Sequence, residues 1–133
     1  MAGPVLFDTD VLVDVARGVP TALDVVEAAS DEHILTISTI TQLELIAGCR
    51  NKAELREADR FVQRFAILPP GDAACEEAVK LLRRFRLSHG LQITDALIAA
   101  TALTDELPLV SKNQRDFRFI PALRLLPYPP RFS

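Results

Sequence analysis

Cysteine, histidine and long apolar stretches are scarce in this chain of 133 residues, and each shortage argues against a class of protein. The two cysteines, Cys49 and Cys75, have neither metal-ligand spacing nor a disulfide framework, so we expect buried free thiols and a reducing cytoplasm. No apolar run approaches the ~20 residues of a membrane-spanning helix, so no membrane association is expected. The first residues lack a basic region followed by a hydrophobic stretch, so we expect no signal peptide.

Sequence motifs of several common enzyme classes are also missing. The chain has no glycine-rich phosphate loop and no serine in a strand–turn–helix nucleophile pattern. Its two histidines, His33 and His89, stand in polar contexts without a surrounding motif, and we expect both at the surface. This disfavours a metal-independent ribonuclease that cleaves RNA with a pair of histidines.

The composition is that of an ordinary globular protein, but the charge is unevenly distributed. With 49% hydrophobic and 25% charged residues, we expect a single domain over residues 1–133, ending in an extended proline-rich tail at 127–133. Residues 1–49 carry eight acidic and one basic side chain, whereas residues 50–133 carry fourteen basic and ten acidic. This asymmetry is compatible with a nucleic-acid partner but does not require one.

Segments typical of strands and helices alternate along the chain. The predicted strands are 5–7, 34–38, 66–68, 107–110 and 124–126, and the predicted helices are 10–17, 20–30, 40–50, 52–65, 72–87 and 94–104. The alternation predicts a three-layer α/β/α sandwich with a central, mainly parallel sheet. Such sheets bind their ligands at the carboxyl ends of the strands.

Two acidic residues occupy positions where a charge needs a partner. Asp8 comes directly after an apolar strand, at its carboxyl end. Glu44 falls on the apolar face of its helix, since it completes the i, i+3, i+4, i+7 stripe of Ile40, Leu43 and Ala47. Burying an unpaired carboxylate is unfavourable. For Glu44, reaching the solvent edge or pairing with an arginine is the ordinary alternative.

Two further acidic residues follow the same pattern later in the chain. Asp95 stands at the start of a helix that is apolar nearly all round and therefore predicted to be buried. Asp116 follows the strand at 107–110, together with Ser111 and Asn113. Helix capping and turn formation are the ordinary explanations for these residues.

A single cause accounts for all four carboxylates. Parallel strands and the helices that follow them bring such residues to one edge of the sheet. A divalent cation would neutralise the cluster, and Mg²⁺ or Mn²⁺ prefers oxygen ligands, with water and substrate phosphate completing its shell. A site of this kind activates water for attack on a phosphodiester.

The segments that carry these residues resemble the motifs of the PIN-domain ribonucleases, and in size and spelling those of VapC-type toxins from toxin–antitoxin pairs. LFDTDVLVD resembles the first motif, with Asp8, and STITQLELIAG the second, with Glu44. ITDALIAATA is similar to the third, with Asp95, and LVSKNQRDF to the fourth, with Asp116. The resemblance covers nearly the whole chain, and all four acidic positions are filled.

The resemblance implies a Mg²⁺- or Mn²⁺-dependent endoribonuclease with Asp8, Glu44, Asp95 and Asp116 as metal ligands and catalytic residues. It also implies a homodimer that a small antitoxin neutralises by occupying the groove near the carboxylates. The residues expected to support the site or bind substrate are Thr9, Ser111, Lys112, Asn113 and Arg115. Asp10 stands where relatives often carry Asn or Ser, and Asp14 is expected at the surface.

Two other functions remain open on the sequence alone. LFDTDVLV also fits the Asp-x-Asp motif of haloacid-dehalogenase-type phosphatases, in which Asp8 would be the nucleophile and Asp10 the general acid. No late Gly-Asp or Asp-Asp motif accompanies it, and Glu44 and Asp95 stay unexplained. A non-catalytic PIN-like module that binds RNA or protein is the second alternative.

Three groups of basic residues are candidates for RNA contact. Solvated helix faces are the favoured interpretation of the first two groups, whereas the third adjoins the predicted site and is expected to meet phosphates. The groups are Lys52, Arg56, Arg60 and Arg64; Lys80, Arg83 and Arg84; and Lys112, Arg115 and Arg118.

Overall fold

Four short parallel strands form the centre of the fold in the computed structural model, which describes residues 3–132. The strands are β1 (Pro4–Phe7), β2 (Ile34–Ser38), β3 (Ala66–Leu68) and β4 (Leu109–Val110), in the order β3-β2-β1-β4. All pairs are parallel, and Leu6 lies between Thr36 of β2 and Leu109 of β4. The predicted domain and tail also include residues 1, 2 and 133, which lie outside the described residues.

Within the described part of the chain, six helices connect and cover the strands. They are α1 (Thr9–Ala16), α2 (Pro20–Glu32), α3 (Thr39–Ala47), α4 (Lys52–Val62), α5 (Asp72–His89) and α6 (Ile93–Thr104), followed after β4 by a 3₁₀ turn at Gln114–Asp116. None of the helices within residues 3–132 is long and apolar enough to cross a membrane.

Alternating side chains of β1 divide the apolar core into two parts. Leu6 points to one face, where it joins the buried residues of α5 and α6. Val5 and Phe7 point to the other face, where they join the buried residues of α1 and α2. Because successive side chains of a strand point to opposite faces of its sheet, the sheet lies between two helical layers. This confirms the predicted three-layer α/β/α arrangement.

Several element boundaries differ from the prediction, and backbone hydrogen bonds show why. The helix predicted at 52–65 ends at Val62, since the next three N–H groups bond to carbonyls three residues back and tighten the turn. The helix predicted at 72–87 continues to His89, where Gly90 takes the left-handed conformation (φ 70°) that ends it. The predicted strand at 124–126 is only an isolated bridge between Leu125 and Leu109.

The predicted burial of the two cysteines is wrong for one of them. Cys49 is half-buried, but Cys75 is exposed on α5. The buried stripe of that helix is Ala74, Ala78, Leu81 and Phe85. Cys75 lies beside the stripe rather than on it, since 74, 78, 81 and 85 follow the three- and four-residue spacing of one helix face.

Two leucines of unequal burial test the assignment of the core. Leu6 is fully buried in the central strand, whereas Leu23 on α2 is 40% exposed. Leu6→Ala should lower the free energy of unfolding by about 2–5 kcal/mol, through lost apolar transfer and a residual cavity. Leu23→Ala should lower it by less than about 1 kcal/mol. Urea titration of both variants measures the difference, and equal losses would contradict the core described above.

Candidate active site

Asp8 lies where the central strand passes directly into the first helix. It is the N-cap of α1, and its Oδ1 accepts a hydrogen bond from the Thr9 backbone N–H at 2.8 Å. Its own backbone N–H donates to the Val110 carbonyl at 2.9 Å, which continues the β1–β4 ladder. The side chain is only 5% exposed. Asp8 therefore lies at the carboxyl end of the sheet, between the chain segments that follow β2 and β4.

The loop after β4 holds both aspartates of the first motif. The Ser111 hydroxyl, fully buried, donates to Asp8 Oδ2 at 2.8 Å and lies 3.4 Å from Asp10 Oδ2. The Asn113 backbone N–H lies 2.9 Å from Asp10 Oδ2 and 3.1 Å from the Ser111 hydroxyl oxygen. The segment from Ser111 to Asn113 thus orients the Asp8 and Asp10 carboxylates with one hydroxyl and one backbone N–H.

Glu44 is brought to the same place by α3. The Thr9 hydroxyl is 2.6 Å from Glu44 Oε1 and 3.0 Å from the Thr41 hydroxyl. The fully buried Thr41 carries a hydroxyl proton of its own. The two threonine hydroxyls can therefore share a hydrogen bond while Thr9 donates to Glu44. Thr41 is not among the residues predicted to support the site, although a threonine three residues before an acidic residue on the same helix face is a usable signal.

Asp95 and Asp116 complete the cluster from the other side. Asp95 is in the first turn of α6 and half-buried, and Asp116 ends the 3₁₀ turn and is exposed. Burial raises the pKa of Asp95 to about 6, with further contributions from the charges of Asp116, Glu44 and Asp10. Neither side chain accepts a hydrogen bond from the described residues, so both carboxyl groups can rotate toward a ligand.

Crowding of negative charge is strongest at Asp8. Burial, first, and the neighbouring charges of Asp10 and Asp95 together raise its pKa to about 8, against the opposing hydrogen bonds from Ser111 and Thr9. Burial also raises the pKa of Asp10, opposed by nearby backbone N–H groups, that of Asn113 first. Burial and like charges both disfavour ionisation of a carboxyl group, so a bound cation would relieve both effects at this site.

The donor set is chemically suited to a hard divalent cation. Its atoms are carboxylate and hydroxyl oxygens, the ligands that Mg²⁺ and Mn²⁺ prefer. The Oδ1 of Asp10 is buried and has no hydrogen-bond partner among residues 3–132. In the same part of the chain, no three acidic, histidine or cysteine side chains are arranged to hold a metal ion directly. A cation would therefore have to draw the side chains together.

Asp14 and Lys112 form an ion pair next to this cluster. The predicted surface position of Asp14 is wrong, since its residue is only 7% exposed. It lies three residues after the buried Val11 on α1, on the inner face. Lys112 Nζ is 2.8 Å from Asp14 Oδ2, and its side chain is 48% exposed. In this structure Lys112 therefore binds α1 to the loop after β4.

Arg115 is placed differently from Lys112. It is exposed within the 3₁₀ turn, directly before Asp116. Among residues 3–132 it forms no ion pair with a carboxylate. Its guanidinium group is therefore available to an external anion.

A groove runs alongside the acidic cluster, between α1, α3 and α4. Its volume is about 820 Å³, and Glu44 contributes to its wall. Apolar side chains line it, among them Val13, Leu45 and Phe61. Charged side chains at its edge are Arg17, Arg50, Glu54 and Glu57.

Comparisons with known proteins identify the family of this chain. The family model described as PIN domain matches residues 5–122. Ribonuclease VapC10 of Mycobacterium tuberculosis is 36% identical over 121 residues, which is 90% of each chain. Ribonuclease VapC19 of the same organism is 32% identical, over 90% of this chain and 96% of its own length.

Solved structures show the same fold. In a toxin–antitoxin complex from Klebsiella pneumoniae, one chain superposes with a TM-score of 0.77 and 31% identity, over 93% of this chain and 98% of that one. A VapBC2 structure from Rickettsia felis, bound to a promoter DNA fragment, gives a TM-score of 0.75 at 24% identity. Because the family model spans most of the chain and the fold is shared, this protein is a member of the PIN-domain family.

Proposed function

We propose that this protein is a Mg²⁺- or Mn²⁺-dependent endoribonuclease and the toxin of a VapBC-type toxin–antitoxin pair. The observation that carries the proposal is the meeting of acidic residues from four separate segments at the carboxyl edge of the sheet, where burial and then their mutual charges raise the pKa values of Asp8 and Asp95. Relatives that are 36% and 32% identical over most of the chain are named ribonucleases VapC, which supports the same activity.

The residues that would hold the cation are Asp8, Glu44, Asp95 and Asp116. A bound Mg²⁺ or Mn²⁺ lowers the pKa of a water ligand and stabilises the charge that develops on the phosphate. Asp95 and Asp116 can turn toward it because no described residue binds their carboxyl groups. Glu44 keeps Oε2 available, since the Thr9 hydroxyl binds only Oε1.

The neighbouring polar groups hold the carboxylates in place. Ser111 and the backbone N–H of Asn113 orient Asp8 and Asp10, and Thr9, supported by Thr41, orients Glu44. Preorganisation of this kind means that less side-chain ordering is needed when the substrate phosphate arrives. Arg115, exposed and adjacent to Asp116, is positioned to neutralise a substrate phosphate.

The two other functions are less well supported. A nucleophilic Asp8 would need an oxygen that is open to the substrate, yet the residue is only 5% exposed. Both of its oxygens already accept hydrogen bonds, from Thr9 and Ser111. A non-catalytic module would not need four converging carboxylates, whose mutual repulsion is unfavourable for folding.

Partners follow from the same proposal. The substrate is RNA in the cytoplasm, and the inhibitor is a small cognate antitoxin that occupies the groove between α1, α3 and α4. That groove offers apolar contacts together with charges of both signs. An amphipathic protein segment that folds on binding uses contacts of this kind. We also expect a homodimer, because large apolar side chains such as Leu43, Val79 and Ile93 are more than half exposed.

Removal of one carboxylate tests the catalytic assignment. Asp95→Asn should lower the rate of metal-dependent RNA cleavage at least about 100-fold, because a ligand charge is lost. Asp10→Asn should retain much of the activity, since an amide oxygen can still accept from the Asn113 N–H. Asp24→Asn, on the exposed part of α2, is the matched control. Full activity of Asp95→Asn on a generic RNA would contradict the proposal.

The raised pKa values predict how stability depends on pH. The folded protein holds protons on Asp8 and Asp95 that the unfolded chain loses near pH 4, so metal-free stability should fall as the pH rises from about 4 to about 8. Mn²⁺ should restore it, with a larger increase in Tm at pH 8 than at pH 5. Asp8→Asn should weaken both the pH dependence of the metal-free stability and the pH dependence of the Tm increase with Mn²⁺, whereas Asp24→Asn should change neither. Calorimetry that shows the same pH profile for Asp8→Asn and the parent protein would reject this account.

Lys112 and Arg115 should respond differently to truncation. Lys112→Ala leaves the buried Asp14 unpaired and should lower Tm. Arg115→Ala should leave Tm unchanged and raise KM for RNA, since its guanidinium group has no carboxylate partner among the described residues. Thermal melts and steady-state cleavage measure the two effects. An unchanged KM for Arg115→Ala would remove its proposed contact with substrate.

A further inference from the structure

Two aromatic rings from distant parts of the chain stack face to face near the acidic cluster. His89, the last residue of α5, lies over Phe119 with ring centroids 4.2 Å apart and planes inclined by 16°. Phe85, buried one turn earlier, supports both rings edge-on, at 5.6 Å from His89 and 5.1 Å from Phe119. His89 itself is exposed. Phe119 covers one face of its imidazole, and the Ser88 hydroxyl lies 2.8 Å from Nδ1.

The segments joined by this stack are strongly basic. Residues 80–92 and 111–124 together contain eight basic side chains and a single acidic one, Asp116, although the whole chain has a net charge of -3. Four exposed arginines among them have no carboxylate partner within residues 3–132; they are Arg83, Arg84, Arg115 and Arg118. The Arg84 guanidinium carbon lies 4.9 Å from the centre of the Phe85 ring, so it is held against the same aromatic group.

Chain connectivity places the stack beside the acidic cluster. Phe119 follows Asp116 by three residues, which limits the separation of their Cα atoms to at most about 11 Å. His89 precedes α6, whose first turn carries Asp95, by the short connection at residues 90–92. Both rings therefore lie at the end of the fold where the carboxylates meet.

We propose that His89 and Phe119 form a base-stacking platform for single-stranded RNA and that Arg84, Arg115 and Arg118 bind the flanking phosphates. The inference rests on the proposed ribonuclease function and specifies how the substrate is held. Unpaired bases stack on aromatic side chains whatever their identity, and arginines follow the backbone. A paired base has both faces covered by its neighbours, so the platform selects single-stranded segments beside the scissile bond.

A second histidine–phenylalanine pair offers a matched control. His33 lies 5.3 Å from Phe132, with the planes inclined by 60°. It directly precedes β2 and so lies at the amino edge of the parallel sheet, opposite the carboxylates. The two pairs have the same chemistry, but only the pair with His89 can contact RNA bound at the acidic cluster.

Binding can be measured with a tryptophan reporter, because the chain contains no tryptophan. His89→Trp and His33→Trp are each made in the full chain together with Asp95→Asn, which prevents cleavage. A single-stranded oligoadenylate, the same strand in a duplex, and a strand with one abasic position are the probes. The oligoadenylate should quench the fluorescence of Trp at position 89 and leave that at position 33 unchanged. The duplex and the abasic strand should quench less.

Kinetics separates stacking from catalysis. His89→Ala should raise KM for single-stranded RNA by about 5- to 100-fold, the range expected for loss of one stacked base, with kcat unchanged. His89→Tyr should restore KM, since it keeps a ring that can stack. His33→Ala should alter neither constant. Thermal melts of the variants establish that each is folded.

The outcomes distinguish this proposal from the ribonuclease proposal. If the parent protein cleaves RNA but His89→Ala keeps its KM and position 89 is not quenched, the platform is wrong and the nuclease stands. If quenching occurs at position 89 but the parent never cleaves RNA with Mg²⁺ or Mn²⁺, the platform stands and the nuclease is wrong. Equal quenching at positions 33 and 89 would also overturn the platform.

Discussion

The mutual repulsion of carboxylates at one edge of a parallel sheet is the constraint that organises this molecule. A parallel sheet with helical crossovers delivers every strand end to the same edge, and here that edge receives acidic side chains from α1, α3, α6 and the turn after β4. Ser111, Thr9 and the backbone N–H of Asn113 offset part of the repulsion. Burial, and after it the charges of the neighbouring carboxylates, raise the pKa values of Asp8 and Asp95. The folded state without a cation therefore retains an unfavourable electrostatic energy, which a bound cation would remove.

The fold tolerates this unfavourable electrostatic energy because the apolar layers on both faces of the sheet are continuous. Leu6 joins one layer, and Val5 and Phe7 join the other, all fully buried. The strand that ends at Asp8 is therefore anchored on both faces, and Asp8 cannot swing out into solvent without moving the sheet. Asp95 and Asp116 are at the outer side of the cluster and are more exposed. A rigid acidic centre with a more adjustable rim suits a site that has to close around a cation and a phosphate.

Charge on the surface complements charge at the site. Under the proposed function, the acidic centre would repel RNA at a distance, and the exposed arginines of α5 and of the segment after β4 would attract the phosphate backbone. The stacking of His89 on Phe119 joins these two basic segments. In the proposal, the arginines and the aromatic stack bind RNA, and the carboxylates carry the chemistry. Substitutions in the first group should therefore change KM, and substitutions in the second should change kcat.

The sequence by itself determined the fold class and, apart from a strand at 124–126, the order of elements, because alternating apolar strands and amphipathic helices are local signals. Motif spelling likewise predicted the four acidic site residues. It also indicated Ser111 and Asn113 as polar neighbours of the site. Only the tertiary structure showed that Asp14 is buried against Lys112, that Thr41 supports Thr9, that Cys75 is exposed and that His89 stacks on Phe119. Each of these facts depends on a contact with a segment far along the chain or on how a helix is rotated against the sheet. Local periodicity assigns a residue to a face of its own element, but packing decides what that face meets.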